Sequence, residues 1–94
     1  LADGLACRTP DPNAMAIIWE TVDRIVEVSE AEVAGAMRAC FSDTHNVAEG
    51  AGAAALAAAI KLRGELGGQR IGLPLSGGNV DREVFAEVLR HSDP

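Results

Sequence analysis

The amino-acid sequence predicts an α/β fold with four helices and about two or three short strands of an incomplete sheet. Apolar residues recur with helical spacing in four segments, and two short β-branched or apolar runs lie between these segments. The resulting order is coil, α, β, α, α, β, α, which is typical of the α/β class. Because two strands cannot form a stable parallel sheet, we expect its other strands to lie outside these 94 residues.

The four predicted helices cover residues 12–22, 30–43, 50–66 and 80–90. The first begins after Asp11, which has the character of an N-cap because proline follows it at the first helical position. The third begins with glycine and alanine only, so its first turn can approach another backbone or a ligand closely.

The second helix has the clearest start signal, because Ser29 and Glu32 have the spacing of a capping box. The two predicted strands cover residues 24–28 and 70–75. The first alternates polar and β-branched residues, whereas the second is apolar but includes Pro74, which lacks a ladder donor.

Composition restricts the possible functions. The chain has 14 acidic and 8 basic residues, so its net charge of −6 argues against nucleic-acid binding. No segment reaches the ~20 apolar residues of a membrane helix and no signal peptide is evident, so we expect a cytoplasmic protein. Alanine provides 17 of the hydrophobic residues and only three residues are aromatic, which predicts a thin core.

The two cysteines, Cys7 and Cys40, lack the spacing of metal ligands, and no histidine cluster accompanies them. We expect reduced thiols and no metal site. Cys40 lies on an apolar helix stripe and is expected to be a small core residue.

The first candidate for chemistry is the segment Ser76-Gly77-Gly78-Asn79, which follows the second predicted strand and precedes the last helix. Open α/β sheets bind ligands at this edge, where a hydroxyl and backbone N–H groups are available. Glycine pairs are also common in ordinary turns, so the spacing alone favours a structural turn.

Two acids are further candidates. Glu49 precedes the third helix, where it either interacts with the helix dipole or points at a ligand. Asp3, which precedes a glycine, is either a turn residue or a site acid. His45 lacks a carboxylate or cysteine partner at a recognisable spacing, so a solvated histidine is the simpler interpretation. Lys61 is expected on the exposed side of a helix, which gives a Schiff-base role little support.

Four segments of the sequence occur in a characteristic order: Ala2-Asp3-Gly4-Leu5-Ala6, Ile25-Val26-Glu27-Val28-Ser29 followed by Glu32, Glu49-Gly50-Ala51-Gly52-Ala53-Ala54-Ala55-Leu56, and Ser76-Gly77-Gly78-Asn79-Val80-Asp81. In this order and at these separations they resemble the threonine/serine dehydratases. Those are pyridoxal-phosphate enzymes of the fold-type II (tryptophan synthase β-like) group. The resemblance covers almost the whole chain, and the ordered set is more specific than any single segment.

The resemblance implies roles in binding pyridoxal phosphate. Ser76 matches the serine that hydrogen-bonds the pyridine nitrogen of the cofactor. Gly77 and Gly78 match the turn that lets this serine reach the ring, and Asn79 supports that turn.

Two acids are assigned in the same way. Glu49 matches a glutamate near the cofactor ring, and Asp3 matches an acid at the active-site margin. Gly50 departs from the family pattern, which usually has proline or a similar residue at this position.

The resemblance further implies that residues 1–94 are the C-terminal segment of the large catalytic domain of an ammonia-lyase. Such an enzyme converts L-threonine to 2-oxobutanoate, or L-serine to pyruvate, and releases ammonia. The family's Schiff-base lysine, phosphate cradle and metal-binding acids lie upstream of the part that this chain resembles. We therefore expect this chain alone to be inactive and not to bind the cofactor. A small amino acid as substrate and a homo-oligomeric assembly are expected for the whole enzyme.

Two alternatives stay open. One is a related pyridoxal-phosphate enzyme, such as a serine racemase. The other is a non-catalytic module whose apolar faces and unpaired strand edges are covered by self-association.

Overall fold

The computed structural model describes residues 1–91, which form helices joined by segments without regular secondary structure. A short 3-10 helix covers Asp3–Leu5. The α-helices are α1 (Pro12–Thr21), α2 (Glu30–Thr44), α3 (Gly50–Lys61), α4 (Arg63–Leu66) and α5 (Arg82–Arg90).

The predicted α/β class is wrong, because none of residues 1–91 forms a β-strand. Both predicted strands, 24–28 and 70–75, are irregular segments. A strand exists only where a neighbouring strand exchanges N–H···O=C bonds with it, and no backbone hydrogen bond joins these two segments in the described part of the chain. Each segment therefore has a side-chain pattern typical of a strand, but the described residues supply no partner strand for it to pair with.

The starts of the first two helices are confirmed. The carboxylate of Asp11 accepts a hydrogen bond from the backbone N–H of Ala14 at 3.2 Å, with Pro12 in the first turn. In α2 the Ser29 hydroxyl accepts from the N–H of Glu32 at 3.1 Å, and the Glu32 carboxylate accepts from the N–H of Ser29 at 2.8 Å. This reciprocal pair is the predicted capping box.

The later helices differ from the prediction in their bounds. The third predicted helix is divided at Leu62 into α3 and the single turn α4, which contains Gly64, a residue of low helix propensity. The last helix begins at Arg82 instead of residue 80. The Val80 N–H donates to the Gly78 carbonyl, so Val80 belongs to a turn that precedes the helix.

The core lies between α2 and α3, and α5 packs on α2. Its buried members are Val33, Ala36, Met37, Cys40, Ala48, Ala53, Ala57 and Val88. Half of these residues are alanine, so the core is thin, as the composition predicts, and Cys40 is the small core residue expected. Contacts between α2 and α5 include the Phe41 and Phe85 rings, which meet edge to face at 5.6 Å, and the Arg38 guanidinium, which donates to the Val88 carbonyl at 3.1 Å.

Helix α1 packs on no other helix within residues 1–91. Its apolar side chains are accordingly exposed, with Ile17 at 62% and Trp19 at 74% of their full accessible surface. None of the helices described here combines the length and the apolar character that crossing a membrane requires.

Candidate functional site

Three of the four sequence motifs meet at the N-terminal end of α3. The backbone of Leu1 and Ala2 crosses Gly50 so closely that a Cβ atom on Gly50 would overlap the Leu1 carbonyl oxygen. A Cβ on Gly4 would lie 2.9 Å from the Cβ of Ala51. The small residues at the start of α3 thus permit the close approach of another backbone that their size predicts.

The glycine turn packs on the same helix end. The carbonyl oxygen of Gly77 accepts a hydrogen bond from the backbone N–H of Glu49 at 3.0 Å. The Glu49 carboxylate lies directly against Gly77, where an added Cβ would overlap Oε1. A Cβ on Gly78 would lie 2.6 Å from the Val47 carbonyl oxygen. The backbone therefore leaves no room for a side chain at position 78, whereas one at position 77 would require the Glu49 carboxylate to move.

Part of the second motif also borders the N-terminal segment. Val28 and Ser29 line a separate hollow together with Leu1 and Leu5. The second motif therefore contacts the N-terminal segment through these two residues.

A cavity of about 420 Å³ opens where the N-terminal segment, α3 and the start of α5 come together. Its lining residues are Leu1, Asp3, Gly4, Glu49, Gly50, Ala51, Asn79, Val80, Asp81 and Val84. Three residues singled out from the sequence, Asp3, Glu49 and Asn79, thus share one cavity. Ser76 is exposed and lies outside this lining.

Asp81 is a lining residue that the sequence analysis did not single out. It is the N-cap of α5, although its side chain makes no capping hydrogen bond in the described structure. The last helix was predicted to begin at residue 80, so Asp81 fell inside it and no N-cap signal distinguished this residue. The charged side chains that line the cavity in the described residues are Asp3, Glu49 and Asp81, and all three are acidic. Such a cavity favours cationic groups over anions such as phosphate.

Lys61, the only lysine of the sequence, lies far from this cavity. It is the last residue of α3, eleven positions after Gly50, a separation of roughly 17 Å along a helix. Its ammonium group donates to the Glu27 carbonyl at 2.7 Å and lies 3.7 Å from the Glu32 carboxylate. Lys61 is therefore committed to a structural contact, which agrees with the simpler interpretation of this residue.

His45 and the cysteines also lie outside the candidate site. His45 is the C-cap of α2 in the left-handed conformation (φ 59°), and its ring Nδ1 lies 3.2 Å from the Phe41 carbonyl oxygen. Cys7 is exposed and Cys40 is buried, and both are free thiols. Within residues 1–91 no group of His, Cys, Asp and Glu side chains has an arrangement that could hold a metal ion.

Comparison with known proteins connects this helix end to a family of enzymes. Residues 1–77 match the family model described as pyridoxal-phosphate dependent enzyme. The matched range includes Asp3, Glu49 and the Ser76-Gly77 dipeptide, which confirms the resemblance that the motifs indicated.

Individual relatives cover nearly all of this chain. It is 41% identical over 90 residues to an L-threonine ammonia-lyase of Geobacter sulfurreducens, covering 95% of this chain and 22% of the relative. It is 37% identical to an L-threo-3-hydroxyaspartate ammonia-lyase of a Pseudomonas species, covering 96% of this chain and 28% of the relative. A serine racemase of Schizosaccharomyces pombe is 35% identical, with coverages of 95% and 28%.

The chain thus spans between a fifth and three tenths of the length of these curated relatives. No solved structure matched the chain significantly. All three relatives are named for reactions of amino acids. The reactions differ, since two of the relatives are ammonia-lyases and one is a racemase.

Proposed function

Because this chain belongs to the family of pyridoxal-phosphate dependent enzymes, we propose that it is the C-terminal segment of the large catalytic domain of an ammonia-lyase. The whole enzyme dehydrates and deaminates L-threonine or L-serine to 2-oxobutanoate or pyruvate, with release of ammonia. The observation that supports this most directly is the 41% identity to an L-threonine ammonia-lyase across 95% of the chain. A racemase relative at 35% identity makes serine racemisation the second candidate reaction.

The cofactor of this family is pyridoxal phosphate, which, when bound, withdraws electrons from the bond to be broken in the substrate. In this proposal Ser76 hydrogen-bonds the pyridine nitrogen of the cofactor. A neutral hydroxyl cannot hold that nitrogen protonated as a carboxylate would, so it keeps the ring a moderate electron acceptor. The exposure of Ser76 leaves its hydroxyl accessible for such a bond.

The packing of the glycine turn supports this assignment. Gly77 and Gly78 pack on Glu49 and Val47 with one side, while Ser76 and Asn79 stay exposed to solvent. The turn is therefore supported from behind by α3 and presents only small or polar groups. We assign Gly77, Gly78 and Asn79 to holding the Ser76 hydroxyl in place.

The acidic cavity beside the turn has a different role in this proposal. Its acids Asp3 and Glu49 lie at the active-site margin, where Glu49 also contacts Gly77. Because an acidic lining disfavours phosphate, the cofactor phosphate is expected to bind elsewhere, on residues outside this chain.

This chain alone is proposed to be inactive. Lys61 donates a hydrogen bond to the Glu27 carbonyl and lies at the end of α3 that is opposite to the candidate site. The amine that binds the cofactor covalently therefore has to come from another part of the polypeptide. Reading the coding sequence upstream of Leu1 tests this point directly. A lysine and a glycine-rich phosphate loop there would support the enzyme assignment, and their absence would contradict it.

Substitution of Ser76 in the longer enzyme tests the site. Ser76→Ala is expected to change the absorption spectrum of the bound cofactor and to lower the elimination rate by about 10-fold or more, a loss of ~1.4 kcal/mol or more in transition-state stabilisation. Ser42→Ala, an exposed serine on α2, is the matched control and should change neither quantity. An unchanged spectrum and rate in Ser76→Ala would show that the assigned role is wrong.

Self-association is a second proposal, supported by the unpacked helix α1 with its exposed Trp19. Homo-oligomers cover such apolar surface between subunits. A sedimentation coefficient that rises with concentration would support this proposal, and a monomer at high concentration would contradict it. A cytoplasmic location is also proposed, on the isolated spacing of Cys7 and Cys40 in the sequence.

A further inference from the structure

The first backbone donors of α2 and α3 are satisfied in two different ways. In α2 the N–H of the N-cap residue Ser29 donates to the carboxylate of Glu32, three residues later, at 2.8 Å. In α3 the N–H of the N-cap residue Glu49 donates to the carbonyl oxygen of Gly77 at 3.0 Å. The residue three positions after Glu49 is Gly52. The Gly77 carbonyl therefore takes the role that a glutamate side chain at position 52 would take in a capping box.

This arrangement is possible only without a side chain at position 52. Gly52 is buried, and a Cβ on it would overlap the Gly77 carbonyl oxygen and lie 3.0 Å from the Gly77 nitrogen. Gly52 has helical geometry within α3, so its backbone conformation does not require glycine. Since glycine is the poorest helix former after proline, its place here is explained by the contact with Gly77.

We propose that Gly52 is a positioning residue that fixes the location of the Ser76 hydroxyl. The absent side chain lets the Gly77 carbonyl dock on the Glu49 amide, and Ser76 is attached to Gly77 through one rigid peptide. The consequence for the cofactor rests on the proposed function, whereas the docking of Gly77 does not. A displacement of about 1 Å is enough to lower the rate of a reaction by roughly 100-fold when it moves an active-site group.

Amide hydrogen exchange on this 94-residue chain tests the docking without any cofactor. In Gly52→Ala the methyl group displaces Gly77, so the Glu49 amide loses its acceptor and is expected to exchange at least about fivefold faster. The carbonyl carbon shift of Gly77 should change in the same variant. The Ser29 amide, which is bonded to Glu32, serves as the internal reference for intact folding.

Gly64→Ala is the matched control, because a Cβ at Gly64 in α4 has no neighbour within 4 Å. It should leave the Glu49 amide and the Gly77 carbonyl unchanged. Unchanged Glu49 exchange and Gly77 shift in Gly52→Ala, with the Ser29 amide still protected, would overturn the proposal.

A second variant separates release of the glycine turn from loss of the hydrogen bond to the Glu49 amide. Gly52→Glu supplies the third-position carboxylate of a capping box, so the Glu49 amide should stay protected by its own helix. The Gly77 and Gly78 resonances should nevertheless move to the positions of a released turn. If those resonances stay at their wild-type positions, Gly52 does not position the turn.

The same variants in the longer enzyme separate this inference from the proposed function. Gly52→Ala is expected to shift the cofactor spectrum in the same direction as Ser76→Ala, whereas Gly64→Ala should not. If Glu49 exchange responds as expected but neither Ser76→Ala nor Gly52→Ala affects the cofactor, the docking stands and the proposed function fails. If Ser76→Ala affects the cofactor and Gly52→Ala does not, the positioning role fails and the proposed function stands.

Discussion

Met37 is the side chain on which the thin core depends most. It is fully buried in α2 and is the largest side chain of the described residues with no accessible surface. Met37→Ala removes three heavy side-chain atoms, which corresponds to about 2.4 kcal/mol of lost burial at ~0.8 kcal/mol per group. The remaining cavity raises the expected loss to roughly 3–4 kcal/mol of the free energy of unfolding.

This loss is large for a chain of this size. A folded chain of 94 residues has a total stability on the order of 5–14 kcal/mol, and alanine provides half of the buried hydrophobic residues. Neighbouring side chains that could fill the space are therefore short. We expect Met37→Ala to lose roughly a fifth to four fifths of this stability.

Urea unfolding followed by circular dichroism measures this effect. Met15→Ala is the matched control, because Met15 is only partly buried on α1, which packs on no other helix in the described chain. Its cost should stay below about 0.5 kcal/mol, as is usual for sites outside a core. Equal urea midpoints for the two variants would refute the description of the core between α2 and α3.

Three further predictions concern pH, helix propensity and exposure. The Ser29 N–H donates a hydrogen bond to the Glu32 carboxylate and lowers the pKa of Glu32. The ionised carboxylate therefore stabilises the fold at pH values above the pKa of Glu32 in the unfolded chain, and this stabilisation is lost as the pH falls through the lowered pKa of the folded chain. The difference in urea midpoint between wild type and Glu32→Gln should accordingly shrink on acidification, and a constant difference would contradict this. Gly64→Ala should raise the free energy of unfolding by about 0.5–1 kcal/mol, because it replaces glycine in a helix without a clash; a lower urea midpoint would count against it. Trp19 is the only tryptophan and is largely exposed, so its emission maximum at low concentration should barely shift on unfolding in urea. A large red shift would show that Trp19 is covered in the folded chain.

Helix starts are the part of the fold that local sequence predicted well. Asp11 and the Ser29–Glu32 pair each form hydrogen bonds within three residues along the chain. Such contacts form with little loop closure, so their sequence pattern suffices to predict them. The break at Leu62 was not predicted, because the apolar spacing continues through it.

The candidate site was predicted in part. Asp3, Glu49 and Asn79 share a cavity although they are far apart in the sequence. Only the family resemblance implied that these residues lie together. Their positions in the sequence do not reveal the spatial distance between Glu49 and Gly77. Asp81 was missed because the last helix was predicted to begin at residue 80, which placed Asp81 inside the helix instead of at its N-cap.

The sequence by itself determined the starts and N-caps of the first two helices, the thin alanine-rich core and the membership of the pyridoxal-phosphate family. The tertiary structure decided whether the alternating segment 24–28 and the apolar segment 70–75 became strands, because strands need partners that local sequence does not contain. It also decided why position 52 is glycine. Helix propensity disfavours glycine there, and only the close approach of the Gly77 carbonyl to α3 supplies the physical reason for it.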